Sequence, residues 1–333
     1  MTRVPLTGLL GGLAASGAAE RRDRTDQVVV VTGASSGIGL ATAQLLAADG
    51  ARLVLASRGA EALARAEKSC TEAGGEVIVV PTDVSDQDAV KVLFAEAVET
   101  FGHVDAVVHA AGVLAYGRFE DVPADVFEQV IATNVLGTGH VARAALAVFR
   151  DQGHGNLVVL GSVIGKIATS MMSNYQTSKW GVHGLVRALQ VEARETPGVH
   201  VTLISPGGVD TPIYTQAGNY SGWEGRPPPP VYQPETVARA VVRGLDHPKR
   251  EISVGFANPV MVLGFRALPW AYEAMVTPLM RALAMSSRPV PPGPGNVEGP
   301  RDDGEALRGS WLPHRLTEVV GLLRGRPEES GRA

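Results

Sequence analysis

The chain has 333 residues, enough for one large α/β domain with an appendage or for two small domains. Apolar residues make up 45% of it and charged residues 19%, which is typical of a folded globular protein and excludes a disordered one. The net charge of -4 is spread over both signs and gives no basic surface, so we expect no nucleic-acid partner.

Residues 1–26 are predicted to form a flexible N-terminal tail. Residues 4–19 follow one arginine and contain small residues, so a poor signal peptide is the alternative, but strong hydrophobes are scarce. No run approaches the roughly 18 apolar residues that a membrane span needs. The single cysteine, Cys70, has no nearby cysteine or histidine, so we expect neither a metal site nor a reactive thiol. A reducing, cytoplasmic location fits best.

From residue 27 to residue 255, β-branched runs alternate with runs rich in alanine and leucine. The predicted strands are 27–32, 52–57, 76–81, 104–109, 155–160, 199–204 and 251–254. The predicted helices lie near 38–49, 60–73, 86–101, 124–150, 174–195 and 234–246. Because the strands are apolar along their whole length, the sheet should be buried on both faces. The alternation predicts a doubly wound parallel sheet of seven strands, the Rossmann fold, with ligands at the carboxyl ends of the strands.

Residues 256–333 differ in character and are predicted to form an apolar helical extension. Three prolines, Pro259, Pro269 and Pro278, interrupt the apolar stretch and should divide it into short helices. Two further pieces follow, a Pro/Gly-rich linker over 287–310 and an amphipathic helix over 311–325. We favour packing of this extension on the protein's own fold or on a partner subunit, with contact to a membrane surface as the alternative.

The first predicted strand runs directly into a glycine-rich turn and a helix. Gly33 permits the tight turn, Gly37 lets backbone N–H groups approach a pyrophosphate, and Gly39 lets helix and strand pack closely. An ordinary loop is the alternative, but the position at the first strand–helix junction favours a dinucleotide. The turn residues expected to bind the cofactor are Gly33, Ser35, Ser36, Gly37, Ile38 and Gly39.

The end of the second predicted strand indicates which nicotinamide cofactor is used. An NAD site needs an acid there for the ribose hydroxyl, whereas this chain has Ser57 followed by Arg58. A guanidinium forms a charge-assisted fork to a 2′-phosphate, so Arg58 predicts NADP(H). A solvated surface arginine is the alternative.

Three side chains are candidate catalytic residues. Tyr175 and Lys179 lie four residues apart at the start of a predicted helix, on one face. A neighbouring ammonium favours the phenolate and should lower the tyrosine pKa, which is ordinarily about 10. Ser162 follows a predicted strand at the carboxyl edge, where its hydroxyl could donate to a developing alkoxide. The set predicts interconversion of a carbonyl and an alcohol.

The motifs together, in this order over roughly residues 27–255, resemble the short-chain dehydrogenase/reductase family in its single-domain form. They are TGASSGIG at 32–39, Asp83-Val84, Asn134-Val135, Ser162, Tyr175 with Lys179, and SPGGVDT at 205–211.

The resemblance implies a role for each matching residue. Tyr175 would be the proton donor or acceptor and Ser162 would bind the substrate oxygen. Lys179 would lower the tyrosine pKa and hold the nicotinamide ribose, Asn134 would hold a water in a proton relay, and Asp83 would bind the adenine. A homodimer or homotetramer built on the helices at 124–150 and 174–195 is also implied. Further cofactor contacts would be Val84, Ala111, Gly112, Pro206, Gly207, Val209 and Thr211.

One motif departs from the family pattern. After the fourth strand the family usually has Asn-Asn-Ala-Gly, whereas here His109 opens the sequence His-Ala-Ala-Gly. We interpret His109 as a structural histidine rather than a catalytic one. The bracing role of the first asparagine passes either to the His109 ring or to no residue.

The substrate should enter beside Ser162 and Tyr175. The expected walls are Ile164, Met171, Met172, the region after Thr211 and the loop 223–232. No fixed cation occurs among them, which favours a hydrophobic carbonyl compound. Two other classes remain open: a catalytically silent NADP-binding regulatory or scaffold protein on the same fold, and a methyltransferase on a similar sheet.

Overall fold

A parallel sheet of seven strands forms the centre of the molecule. The structure is a computed structural model that describes residues 22–301, 303–309 and 311. The strands are β1 (Val28–Thr32), β2 (Arg52–Ser57), β3 (Glu76–Pro81), β4 (Ala106–His109), β5 (Gly155–Leu160), β6 (Val199–Pro206) and β7 (Glu251–Val254). Their order across the sheet is β7-β6-β5-β4-β1-β2-β3. The chain adds strands toward one edge from β1 to β3 and toward the other edge from β4 to β7, so the switch point lies between β1 and β4. The predicted doubly wound fold is confirmed, and the crevice that binds ligands in such sheets lies above β1 and β4.

The residues of β1 show why the sheet is buried on both sides. Val29 and Val31 belong to the hydrophobic cluster on one face, whereas Val30 belongs to the cluster on the other. In the sheet Val30 lies opposite Val54 of β2 and Val107 of β4, so the same face is apolar across three strands. A shift of register by one residue would exchange the two faces, which fixes the alignment of the strands and of the turns that follow them.

Helices cover both faces of the sheet. The helices α1, α2 and α7 pack against one cluster, and α3, α5 and α6 against the other. The predicted helix at 124–150 is divided, because a π-helical turn, Ala132–Leu136, separates α4 from α5. The helices of this domain are α1 (Gly37–Ala48), α2 (Ala60–Ala73), α3 (Gln87–Phe101), α4 (Ala124–Ile131), α5 (Gly137–Gln152), α6 (Ser173–Glu192) and α7 (Pro234–Asp246).

Two further helices, α8 (Asn258–Ala267) and α9 (Pro269–Leu283), form an apolar hairpin. Pro259 and Pro269 occupy the first turns, where a missing N–H costs nothing. Pro278 lies inside α9 and does not end it, contrary to the prediction. The helix lies on the surface and buries no residue, so water can hydrate the carbonyl that the proline leaves without a donor.

The hairpin touches the domain on one face and exposes the other. On the inner face the hydroxyl of Tyr272 donates to the carbonyl of Ala168 at 2.9 Å, and Phe265 packs edge-on against Trp180. On the outer face Trp270 is 74% exposed and Val260 72%. In the described residues no helix is both long and apolar enough to cross a membrane.

The chain after α9 returns to the carboxyl edge of the sheet. The strand Met285–Pro289 pairs antiparallel with Trp223–Gly225. The described residues from 293 to 311 then run across the crevice, and we call them the strap. The described residues of the segment 287–310, predicted as a linker, therefore make defined contacts, because backbone carbonyls and N–H groups among them find partners in the domain.

At the N-terminus, the last residues of the predicted tail contact the domain. Of the predicted tail 1–26, Arg24 is buried, and its guanidinium pairs with Asp246 at 2.6 Å and Asp49 at 3.4 Å. Residues 1–21, and all of the predicted helix 311–325 except Trp311, lie outside the described residues.

Candidate active site

The glycine-rich turn after β1 can be formed only by glycine at two positions. Gly33 has a φ of 67°, and a β-carbon there would lie 2.6 Å from the backbone nitrogen of Ala111. A β-carbon on Gly39 would lie 2.1 Å from the carbonyl oxygen of Gly33. Both distances are shorter than any real contact, so the turn packs backbone directly on backbone and brings the first turn of α1 to the crevice.

Two connected spaces lie along the carboxyl edge of the sheet, and they share Ile38, Ala110, Gly112, Thr211 and Ile213. One is a cleft over the glycine turn, and the other is a cavity beside β5 and α6. The predicted residues that line the cleft are Gly33, Ser35, Ser36, Gly37, Ile38, Gly39, Arg58, Asp83, Val84, Ala111, Gly112 and Thr211. The predicted residues that line the cavity are Ser162, Tyr175, Lys179, Pro206, Gly207 and Val209, together with the shared Ile38, Gly112 and Thr211.

The cleft has the floor that a dinucleotide needs. A β-carbon on Gly112 would lie 3.3 Å from Oδ1 of Asn134 and 3.7 Å from Nζ of Lys179, so the floor there is bare backbone. Arg58 and Asp83 stand at one end, and no carboxylate follows β2. Backbone floor, helix N-terminus and cation together fit a nicotinamide dinucleotide.

Ser162, Tyr175 and Lys179 come together at the cavity. The hydroxyls of Tyr175 and Ser162 share a hydrogen bond. The Ser162 oxygen also accepts from the N–H of Ile164 at 3.2 Å, which fixes its rotamer. The Lys179 ammonium lies 5.6 Å from the centre of the Tyr175 ring and donates to the carbonyl of Leu160 at 2.9 Å. An oxygen placed beside the two hydroxyls would meet two donors.

Burial decides the protonation of Tyr175 and Lys179. It raises the pKa of Tyr175 to about 12, although the hydrogen bond with Ser162 acts in the opposite direction. It lowers the pKa of Lys179 to about 8. The causes of the tyrosine shift are burial and the Ser162 hydrogen bond, so the lowering by Lys179 that the resemblance implies stays a prediction. At neutral pH the phenol keeps its proton.

Asn134 lies in the π-helical turn and faces the floor of the cleft. Its side-chain nitrogen donates to the carbonyl of Val113 and to Oγ of Ser178, both at 2.8 Å, and its oxygen accepts from the N–H of Val113 at 2.9 Å. The side-chain donors are thus both used, and they join the floor to α6. The water that the resemblance assigns to Asn134 stays a prediction.

His109 is a brace. One ring nitrogen lies 2.8 Å from the hydroxyl of Thr32 and the other 3.0 Å from that of Thr138. The Thr138 hydroxyl donates to the carbonyl of Asn134 at 2.6 Å, so it accepts from the ring. Burial lowers the pKa of His109 to about 3, and the ring is neutral. The histidine thereby connects β1 to the π-helical turn, which is the first of the two alternatives above.

The walls of the cavity are in part those predicted. Ile164, Met172 and Pro228 of the loop 223–232 line it, but Met171 does not. The φ of Met171 is 68°, and its carbonyl accepts from the N–H of Gly117. Ile213 and Tyr214, from the predicted region after Thr211, also line it, whereas the wall residues that the sequence did not indicate are Leu114, Tyr116, Met280 and Ala284. The last two belong to α9 and its end, so the extension closes one side of the cavity.

The strap lies at the other end of the cleft. The Arg58 guanidinium donates to the carbonyls of Asn296 at 2.6 Å and Val297 at 3.3 Å. Pro300 and Glu305 also line the cleft. No sequence signal marks these contacts, because two of them are made by backbone carbonyls more than 200 positions away from their partner.

The comparison with known families agrees with this geometry. A family model described as short chain dehydrogenase matches residues 27–220. The chain belongs to the short-chain dehydrogenase/reductase family. It is an oxidoreductase of that type, and its relative in Bacillus subtilis (strain 168), the uncharacterized oxidoreductase YxnA, is 36% identical over 243 residues. That match covers 72% of this chain and 68% of the relative.

Solved structures of short-chain dehydrogenases share the fold. An alcohol dehydrogenase from the archaeon Thermococcus sibiricus, complexed with 5-hydroxy-NADP, is 32% identical with a TM-score of 0.60, over 68% of this chain and 95% of that one. A short-chain dehydrogenase/reductase from Burkholderia phymatum, in complex with NAD, is 28% identical with a TM-score of 0.65, over 73% and 93%. Similar proteins thus bind either nicotinamide dinucleotide.

Proposed function

We propose that this oxidoreductase uses NADP(H) to interconvert a carbonyl and a secondary alcohol on a hydrophobic substrate. The observation that carries the proposal is the hydrogen-bonded pair of Tyr175 and Ser162, placed in a cavity that opens into the cleft over the glycine turn. A proton donor and an oxygen-binding hydroxyl stand on the substrate side, and the cofactor floor lies on the other.

The chain's own groups would handle the oxygen and its proton. When bound, the reduced cofactor supplies a hydride to the carbonyl carbon. Ser162 and Tyr175 donate hydrogen bonds to the carbonyl oxygen and stabilise the negative charge that develops there. The alkoxide is more basic than the phenol, so Tyr175 gives up its proton. A tyrosine pKa of about 12 keeps that proton in place at neutral pH, which favours the direction of reduction.

The choice of NADP(H) rests on Arg58 and on the absence of an acid after β2. A guanidinium at the adenosine end of the cleft would bind a 2′-phosphate in a bidentate fork, and a carboxylate would repel it. The 5-hydroxy-NADP bound to the Thermococcus relative supports this choice, whereas the NAD bound to the Burkholderia relative shows that the fold alone does not decide it.

The choice of a hydrophobic substrate rests on the cavity walls. Leu114, Val163, Ile164, Met172 and Met280 line it. Among the described residues that line the cavity Lys179 is the only cation, and it donates to a backbone carbonyl. A charged substrate would lose its hydration there without gaining a fixed partner.

Consumption of NADPH by the purified full-length protein, measured with a panel of apolar ketones and aldehydes, tests the proposal. The expected result is turnover with some members of the panel, lost in Tyr175→Phe. Tight NADPH binding without turnover on any member would favour the catalytically silent NADP-binding protein instead. Equal affinity for NADH and NADPH would contradict the assignment of the cofactor.

A further inference from the structure

We propose that the strap sets the cofactor preference: in its docked position it holds Arg58, so NADP(H) must displace it to use that guanidinium. The inference rests on the proposed function, because it concerns the cofactor of the same site. The affinity for NADP(H) then depends on the strap more strongly than the affinity for NAD(H) does.

The contacts of Arg58 carry the first step. Its two terminal nitrogens donate to the carbonyls of Asn296 and Val297, and these are the nitrogens with which a guanidinium grips a phosphate. A 2′-phosphate and the two carbonyls therefore compete for the same donors. A cofactor with a 2′-hydroxyl makes no such demand on Arg58.

Glu305 adds a second element of selection. It lines the cleft, and although burial lowers the pKa of the Arg58 guanidinium, Asp83 and Glu305 both act in the opposite direction. One oxygen of its carboxylate is buried and has no hydrogen-bond partner among the described residues. A free carboxylate oxygen beside the cleft repels a phosphate and can accept from a ribose hydroxyl, so the docked strap disfavours the phosphorylated cofactor on both counts.

A contact at the glycine turn makes the strap a competitor of the pyrophosphate as well. The N–H of Gly37, at the start of α1, donates to the carbonyl of Ala306 at 3.0 Å. This donor is one of those that a helix N-terminus offers to an anion. Its loss affects both cofactors equally, so the discrimination comes from the adenosine end.

Beyond its contacts with Arg58 and Gly37, the strap is anchored by the fully buried side chain of Val297 and by polar contacts near its end. Oδ1 of Asp210 accepts from the N–H groups of Gly309 and Trp311, both at 3.0 Å. Arg308 pairs with Glu235 at 2.6 Å, and Arg308 is exposed. The exposed ion pair contributes little, so a phosphate at Arg58 competes mainly with the Asn296 and Val297 carbonyls and with the two Asp210 contacts.

Three glycines of the strap provide a matched set of variants in the full chain. Gly295 has a φ of 61°, and a β-carbon there would lie 2.4 Å from the carbonyl of Ala217. A β-carbon on Gly309 would lie 2.5 Å from the carbonyl oxygen of Thr211. A β-carbon on Gly299 meets nothing within 4 Å. Gly295→Ala and Gly309→Ala should therefore displace the strap, and Gly299→Ala is the control.

The measurement is the dissociation constant of NADPH and of NADH for the wild type and the three variants. In both displaced variants the NADPH constant should fall roughly ten-fold further than the NADH constant, the effect expected when one charge-assisted contact no longer has a competitor. Gly299→Ala should match the wild type. An unchanged ratio of the two constants in both displaced variants would overturn the role of the strap while leaving the proposed function intact. Failure of every protein to bind either nucleotide would overturn both.

Hydrogen exchange on the wild-type protein gives a second measurement that needs no variant. Saturating NADPH should speed the exchange of the Gly309 and Trp311 amides, because their acceptor Asp210 is released from the strap. NADH at saturation should speed them less. Slower exchange of both amides with NADPH would mean that the strap closes on the cofactor, and it would reject the competition proposed here.

Discussion

The C-terminal extension covers both ends of the ligand crevice, but with different chemistry. At the substrate end α9 contributes the side chain of Met280, followed by Ala284. At the adenosine end the strap contributes the main-chain carbonyls of Asn296 and Val297. A wall of side chains is altered by changing residues, whereas a backbone contact is altered only by moving the segment. The first end is therefore suited to shape selection and the second to exchange with a ligand.

The largest effect should come from the reacting end of the crevice. Tyr175→Phe removes the hydroxyl that carries the proton, so turnover should fall by roughly 10²- to 10⁴-fold while the dissociation constant of NADPH stays nearly unchanged. Steady-state kinetics and fluorescence titration measure the two. Tyr220 lines neither space, so Tyr220→Phe is the control. Substantial activity in the Tyr175 variant would move the acid/base role to another group.

The adenosine end should respond through affinity rather than turnover. Arg58→Asp replaces an attraction for the 2′-phosphate by a repulsion, so NADP(H) should bind about ten- to a hundred-fold more weakly, a loss of roughly 1.5–3 kcal/mol. The preference should shift toward NAD(H). Arg150→Asp makes the same change of charge at the exposed end of α5 and should leave the affinity for NADP(H) unchanged. An equal loss of NADP(H) affinity in both variants would mean that net charge, and not the contact of Arg58 with the 2′-phosphate, causes the loss.

A smaller effect is expected at the wall that α9 forms. Met280→Ala enlarges the cavity, so the KM for bulky apolar ketones should change about three- to ten-fold, within the range that a few methylene groups confer in an apolar pocket. The affinity for NADPH should not change. Met275 lies on the same helix, is 64% exposed and lines neither space, which makes Met275→Ala the matched control. Indistinguishable kinetics of the two variants would remove α9 from the substrate site.

A different kind of effect concerns the pH dependence of stability. Burial lowers the pKa of Lys179 to about 8 from its ordinary 10.5. Between these values the unfolded chain binds more protons than the folded one, so the group adds stability as the pH rises through this window. The free energy of unfolding of the wild type should accordingly rise relative to that of Lys179→Met between pH 8 and 10. Urea titrations that run parallel over this range would show that Lys179 is better hydrated than its position implies.

The sequence was sufficient for the sheet and for the reacting end of the crevice. Each strand is a short apolar run bounded by turn residues, so its limits could be predicted to within about two residues, and the glycine turn identified the first strand–helix junction. Ser162, Tyr175 and Lys179 follow predicted elements whose carboxyl ends must meet at one edge. Local periodicity and parallel topology together bring these residues into one cavity.

The rest depends on contacts that leave no local pattern. The partners of Arg58 are carbonyls, which every residue carries, so nothing in the letters at 296 and 297 distinguishes them. Met280 is one of several apolar residues in α9, and only the fold of the hairpin decides which of them faces the cavity. Burial also raises the pKa of Tyr175, and burial is a property of the assembled site.

The π-helical turn between α4 and α5 determines where the chain tolerates insertions and deletions. A π-helical turn contains one residue more than an α-helical turn. Removing one residue from Ala132–Leu136 would therefore restore a regular helix and leave α5 nearly in phase, but it would move Asn134 away from the Val113 backbone and the Ser178 hydroxyl. The turns at Gly102 and Gly153 have open space around them, so a lengthened loop there costs little. Relatives that differ in length should vary at those turns and keep the spacing across 132–136.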